Sequence, residues 1–267
     1  MDQLIAFIEE ALGLGDINDG IAIALFIVIV LIGLVSIFAL GVEITLAIKY
    51  VRFNRVQNSR GQNGEEIART LLDKEGLNHI RVSVTGSFLF GNSYSHYFKK
   101  VRLRRWTVKK KSISSLAMAA QKSSLAVLDK EGDKDMKTRI VLTPLIYFGP
   151  LAFVPLVAIG VALDIIFFHT IGLWSILLSS LGLLFYVISF IMSIVVLKTE
   201  KKAQEKAIEV MRRDNLATEE EIGMCKELFR LYNIEYINDM VIALLELIYR
   251  VLLLVASASS SASSSRD

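Results

Sequence analysis

Long uncharged runs alternate along this chain with shorter stretches in which apolar residues recur at helical or strand spacing. Ile21–Val42 is 22 residues without a charge, Val141–Leu163 is 23 and Ile165–Leu197 is 33. A helix needs about 20 apolar residues to cross a hydrocarbon core roughly 30 Å thick. The pattern therefore predicts transmembrane helices over roughly 20–46, 141–163 and 171–197, the last two forming a hairpin that turns around Asp164–Thr170. Reading the same runs as buried helices of a soluble protein needs more surrounding chain than 267 residues provide.

The stretches between carry finer patterns. Residues 2–14 place Leu4, Ile5, Ile8, Ala11 and Leu12 on one helical face, as in a helix lying in a membrane interface. Asn63-Gly64-Glu65-Glu66 opens a helix with early acids, Ile67, Ala68, Leu71 and Leu72 form its apolar face, and Gly76 ends it. His79–Val84 alternates, with Ile80, Val82 and Val84 facing one way, which predicts a half-buried strand. Gly86–Ser95 reads as a loop, and Tyr97–Val108 contains a second extended candidate around Val101–Arg105. Ser112 caps a helix through Leu128, on which Ile113, Leu116, Ala117 and Ala120 recur. Residues 129–139 read as a charged link. Glu200–Arg213 is a helix, and Thr218–Glu221 starts another with a capping box. Met240–Val255 is apolar except for Glu246 and Arg250, too short for a confident crossing, and reads as a helix packed against the bundle or a shallow re-entrant one. The Ser/Ala-rich end is expected to be flexible.

Composition fits a membrane protein: 53% of residues are hydrophobic, 21% are charged and the mean hydropathy is +0.50. A single cysteine, Cys225, excludes a disulfide framework and thiolate metal clusters, and three histidines (His79, His96, His169) leave little for imidazole sites. The net charge of +3 hides a strong asymmetry. Residues 1–48 hold six acids and no Lys or Arg, residues 49–140 hold 20 basic and 8 acidic residues, and residues 141–267 hold 10 and 13. Basic loops stay in the cytoplasm, so the amino terminus is expected outside and the central segment inside. The first apolar run follows five acids and no basic residue, unlike a signal peptide.

The expected organisation is an outer interfacial helix (1–19), a first transmembrane helix (20–48), a cytoplasmic basic α/β segment (49–140), a transmembrane hairpin (141–197), C-terminal helices (198–255) and a Ser/Ala tail (256–267). The fold class is a mainly α multi-pass protein of the cell membrane with a small cytoplasmic α/β unit and cytoplasmic C-terminal helices. The basic patch comprises Lys99, Lys100, Arg102, Arg104, Arg105, Lys109, Lys110 and Lys111, interleaved with Tyr94, Tyr97 and Trp106. Next to a bilayer such a patch suits anionic lipid headgroups or an acidic protein partner, at about 1 kcal/mol per near-surface cation, better than it suits single-stranded nucleic acid. A channel or transporter is a third class, marked by charge inside spans, but Glu43, Asp164, His169, Glu246 and Arg250 mostly sit at span ends. Neither a G-x-x-x-x-G-K-[ST] phosphate loop nor a G-x-S-x-G nucleophile motif occurs.

The run NSRGQNGEEIARTLLDKEGLNHIRVSV resembles the amino-terminal cytoplasmic part of the bacterial membrane zinc metallopeptidases of the Zn-peptidase-2 type. In that family a basic stretch leads to a G-x-x-x-A-R-x-hydrophobic-hydrophobic-D helix, then G-L and a strand. Gly64, Ala68, Arg69, Leu71, Leu72 and Asp73 fit that helix, and His96-Tyr97 and the VRLRR run fit later places. The similarity spans roughly residues 50–255. It implies an H-E-x-x-H motif on the helix after Ser112, where two His at i and i+4 hold zinc and the Glu is the general base. Ala117–Ala120 fits the approach to that motif, but Gln121 and Leu125 stand at the two His places and Lys122 at the Glu place. The third ligand, in an E-x-x-A context, has its match in Glu200-Lys201-Lys202-Ala203.

The expectation is a catalytically inactive homologue with no bound metal or other cofactor. It keeps the membrane scaffold and serves as a scaffold or adaptor subunit for membrane-protein partners, binding an added strand along residues 97–108. The alternatives are an active membrane zinc peptidase with an unrecognised site, or a channel- or transporter-associated subunit.

Overall fold

The computed structural model describes residues 18–85, 91–146, 149–169 and 172–264. In chain order the elements are α1 (Asp19–Phe53), α2 (Gly64–Lys74), β1 (Arg81–Thr85), β2 (Ser93–Ser95), β3 (Lys100–Arg104), α3 (Arg105–Lys109), α4 (Ile113–Glu131), α5 (Lys134–Ile146), α6 (Gly149–Phe168), α7 (Leu173–Arg213) and α8 (Glu219–Ser264). The chain is mostly helical with one small mixed sheet, and it divides into two units. One gathers the chain up to Leu40, Pro144–Met192 and everything from Asn238; the other gathers Gly41–Thr143 and Ser193–Ile237.

The first unit is apolar. Among the described residues, α1 and α7 are long and apolar enough to cross a membrane, and Ala152–Phe168 is a shorter apolar helix. Their outward side chains are aliphatic: Ile37 is 71% exposed and Ile176 65%, which is stable against acyl chains and unfavourable in water. Close packing between α6 and α7 rests on small residues. A Cβ on Gly160 would lie 2.8 Å from the Trp174 carbonyl oxygen, and one on Gly182 would lie 2.7 Å from the Phe153 ring. Asp164, fully buried, closes the hairpin. It accepts hydrogen bonds from the backbone N–H groups of Gly172, Trp174 and Ser175 and from the Ser175 hydroxyl, at 2.7–3.0 Å. The carboxylate thus caps the amino end of α7, where free N–H groups favour a negative charge.

The distal part of α8 belongs to this unit as well. Ala256 packs on Ala22 and Leu25, near the start of α1. Leu244, Ile248, Val251 and Val255 form an exposed aliphatic stripe. Arg250 does not pair with Glu246; its guanidinium lies 4.9 Å from the Phe153 ring centroid and 5.9 Å from that of Tyr186.

The second unit is built on α4. All 16 residues from Ile113 to Leu128 are buried, so this helix is enclosed on every side, which explains its run of Ala and Ser. Ser112 caps it by accepting from the Ser115 N–H, and Gly132 ends it at φ 73°. Helix α2 packs across α4 with Ile67, Ala68, Leu71 and Leu72. Its Asn63–Glu66 capping box is fully formed, and Gly76 turns the chain at φ 69°. Gly64 sits so close that a Cβ would come within 2.2 Å of the Thr107 carbonyl oxygen. Strand order is β1-β3-β2, with β1 parallel and β2 antiparallel to β3. Val101 and Leu103 face the core. Thr218 and Glu221 form the capping box of α8, and the Glu221 carboxylate also holds the Ser59 N–H and hydroxyl.

Several expectations are corrected. The extended element expected within Tyr97–Val108 is β3, Lys100–Arg104, and α3 follows it at once. It is not an edge, because β3 is the central strand with both sides paired; the edges are β1 and β2. Within the loop assigned to 86–95, Ser93–Ser95 pairs as β2. The first strand is Arg81–Thr85; Val82 and Val84 share one face, aligned with the buried Val101 and Leu103, although Val84 near the strand end is 51% exposed. The charged link 129–139 is the end of α4 and the start of α5, whose Met136 N–H is capped by Asp133. The helix expected over 141–163 is seen as α5 up to Ile146 and α6 from Gly149, and residues 147–148 lie outside the described residues. Residues 198–213 continue α7 without a break, and α1 runs on to Phe53. Met240–Val255 lies within the 46-residue α8, which packs through Tyr249, Leu252, Leu253 and Ala256 against the start of α1 and continues through the Ser/Ala stretch to Ser264. Alanine is the best helix former, so a helix already propagating need not stop there. The interfacial helix assigned to 2–14 lies outside the described residues.

Candidate functional site

The carboxylate of Glu200 sits on α7 within the second unit and is 2% exposed. Three side chains converge on it. The Gln121 Nε2 donates to Oε2 at 2.7 Å, the Lys122 Nζ donates to the same oxygen at 2.7 Å, and the Arg139 Nη2 donates to Oε1 at 2.9 Å. Arg139 is held in turn by its other terminal nitrogen, which donates to the Thr199 hydroxyl at 2.8 Å. Gln121 and Lys122 come from the enclosed helix α4 and Arg139 from α5, so the cluster ties three helices together. Leu125, one turn further along α4, packs in an apolar cluster with Leu128, Met136 and Ala203.

Electrostatics follow from this geometry. Burial raises the cost of ionising Glu200, but the charges of Lys122 and Arg139 and their hydrogen bonds outweigh it and hold the carboxyl at about 2. Burial pushes the Lys122 ammonium below the usual lysine range, against the pull of Glu200 and with the repulsion of Arg139. A buried charge needs a partner and satisfied hydrogen bonds, and Glu200 has both on each oxygen.

The four residues singled out at this place by resemblance fall together: Gln121, Lys122 and Glu200 touch, and Leu125 lies on the same helix against Ala203, three residues beyond Glu200. Arg139 was not foreseen. It is the last cation before the second apolar run, and nothing in the local pattern ties it to a residue 61 positions away. His96 is occupied elsewhere. Its Nδ1 is 2.6 Å from an Asp129 carboxylate oxygen that also accepts from the Tyr94 hydroxyl at 2.6 Å. Burial and then the Asp129 carboxylate push the Tyr94 phenol well above its usual range. The basic patch divides. Lys100, Arg102 and Arg104 lie on one face of β3, Arg105 and Lys109 on α3, and Lys110 stacks over Trp106 at 5.3 Å, with Lys99 and Lys111 exposed in the connections.

The chain belongs to the family described as "Putative neutral zinc metallopeptidase", whose model matches residues 26–255. No curated protein and no solved structure gives a significant match.

The donor set does not suit the zinc that the family description implies. A catalytic zinc takes about three His, Cys or carboxylate ligands and a water. Here one carboxylate faces an ammonium, a guanidinium, an amide nitrogen and a leucine, and its oxygens are already engaged. Among the described residues no group of three or more His, Cys, Asp or Glu is placed to hold a metal.

Proposed function

We propose that this chain is a catalytically inactive member of its family, acting as a membrane scaffold or adaptor that binds partner membrane proteins. The observation that carries this reading is the Lys122–Glu200–Arg139 cluster. Two cations stand on the carboxylate that a metal ion would need, and the position of the general base is a lysine. The positive charge that zinc would supply to organise α4, α5 and α7 comes instead from side chains. The scaffold is thereby held without metal, while water activation has no group to perform it.

The membrane reading carries three crossings (α1, α6 and the first part of α7), with the basic 49–140 segment in the cytoplasm and the amino terminus outside, as the charge asymmetry favours. The distal part of α8 makes a fourth. Its outward stripe is aliphatic, and its end packs against the first turns of α1. An added strand from a partner would use an edge, β1 or β2, rather than the central β3.

Purification in mild detergent from native membranes tests the reading. A stoichiometric membrane-protein partner, retained in a Glu200→Gln variant that still folds, is the expected result. A lone protein that cleaves casein or a membrane substrate in the presence of zinc would overturn it.

A further inference from the structure

The face of the sheet opposite the core is a row of cations and hydroxyls. The register aligns Arg81 with Lys100, Ser83 with Arg102 and Thr85 with Arg104, while Ser93 on the other side also faces Arg102. Val101 and Leu103 point the other way and are fully buried, so Lys100, Arg102 and Arg104 share the outer face. Arg102 is thus flanked by a hydroxyl on each neighbouring strand. None of the four cations, Arg81, Lys100, Arg102 or Arg104, lies within 4 Å of a carboxylate among the described residues, whereas Lys49, Arg69, Lys122, Arg139, Lys202 and Lys206 of the same unit are paired. Aromatic side chains stand at both ends of β3. Phe98 is 66% exposed and lies under Lys100 and Arg102 at 4.9 and 5.4 Å, and Trp106 is 67% exposed.

We propose that this face docks on an anionic phospholipid surface. Unpaired guanidinium and ammonium groups beside serine hydroxyls suit phosphate oxygens. Exposed Phe and Trp suit the boundary between headgroups and acyl chains. A chain anchored by apolar helices keeps the face near lipid at all times, so weak individual contacts add up where a free nucleic acid would have to be captured from solution. The docking would hold the soluble unit against the membrane and set how its Glu200 cluster and sheet edges are presented to a partner. It does not depend on the absence of zinc chemistry, and its test leaves that question untouched.

The experiment uses the full chain with Trp174→Phe, which leaves Trp106 as the sole tryptophan. The protein is placed in nanodiscs of phosphatidylcholine with or without phosphatidylglycerol, containing lipids brominated near the headgroup end of the chains. Strong quenching of Trp106 in anionic discs is expected. It should fall to the neutral-disc level in the Lys100→Gln/Arg102→Gln/Arg104→Gln variant and in the parent at high salt, which needs no variant and so separates charge from misfolding. Equal quenching in neutral discs, or none in anionic ones, overturns the proposal. So does a single-stranded oligonucleotide that binds in neutral discs and displaces the face from anionic ones, which would make nucleic acid the partner.

Discussion

Replacing Glu200 by Gln removes the anion and leaves Lys122 and Arg139 facing a neutral amide. Lys122 is buried, its side chain 7% exposed, and Arg139 is mostly so at 18%, so neither cation recovers much hydration. Breaking a buried ion pair by removing one partner costs about 3–5 kcal/mol. Proton linkage gives a similar figure. Holding the carboxyl at about 2 against its ordinary 4.5 amounts to about 3 kcal/mol at neutral pH. For a chain of this size the loss is a Tm lower by roughly 6–20 °C. Lys122→Met should cost less, because Glu200 keeps Arg139 and Gln121 and the variant no longer buries an ammonium. In the Lys122→Met/Glu200→Gln double variant more than half of the Glu200→Gln loss should return, a positive coupling that marks direct contact. Thermal scanning by intrinsic fluorescence in one detergent, with size-exclusion profiles to confirm monodispersity, measures all four proteins. A Glu200→Gln variant as stable as wild type, or strictly additive losses, would refute the electrostatic account of this cluster.

Other outcomes follow from the same structure. The folded-state carboxyl of Glu200 is depressed, so its stabilisation is fully present above its ordinary pKa of 4.5 and disappears as pH falls through about 2; the wild-type advantage over Glu200→Gln in pH-stepped melts should vanish across that window. Gly64→Ala drives a methyl into the Thr107 carbonyl and should cost about 1–3 kcal/mol, read as a lowered Tm with the membrane helices still inserted. Asp164→Ala strips the cap from α7 and should cost about 1–2 kcal/mol, whereas a loss too small to measure would mean the hairpin does not rely on it. Cysteine placed at Asn78 should react with an impermeant maleimide only after permeabilisation, and cysteine at Ser263 should react in intact cells; Cys225, fully buried, contributes no background.

Much of this architecture was legible because it rests on local chemistry. The Asn63–Glu66 capping box, the Ser112 cap, the Gly76 stop and the Thr218–Glu221 box each involve residues three or four apart, and the chain pattern names them directly. The apolar helices were legible from length and charge. What escaped was set by pairing between distant segments. Central or edge position of β3 depends on which strands flank it, and Ser93–Ser95 is too short to declare itself before it pairs. The continuity of α7 and α8 escaped because a charged stretch after an apolar run reads as a boundary, yet Lys, Glu, Gln and Ala all favour helix and let it continue. At the site, Gln121, Lys122, Leu125 and Glu200 were legible only through resemblance. Arg139, which completes the charge balance, reaches Glu200 from a helix that the sequence presents as a link.

The central claim is that side-chain cations, not zinc, hold Glu200. Zinc content of the full chain, purified without chelator, equilibrated with excess zinc and then dialysed, tests it most directly. Wild type should retain far less than one zinc per chain. Gln121→His/Lys122→Glu/Leu125→His should gain binding, and more when Arg139→Ala also frees the second carboxylate oxygen. Stoichiometric zinc in the wild type, lost in Glu200→Ala, would contradict the account.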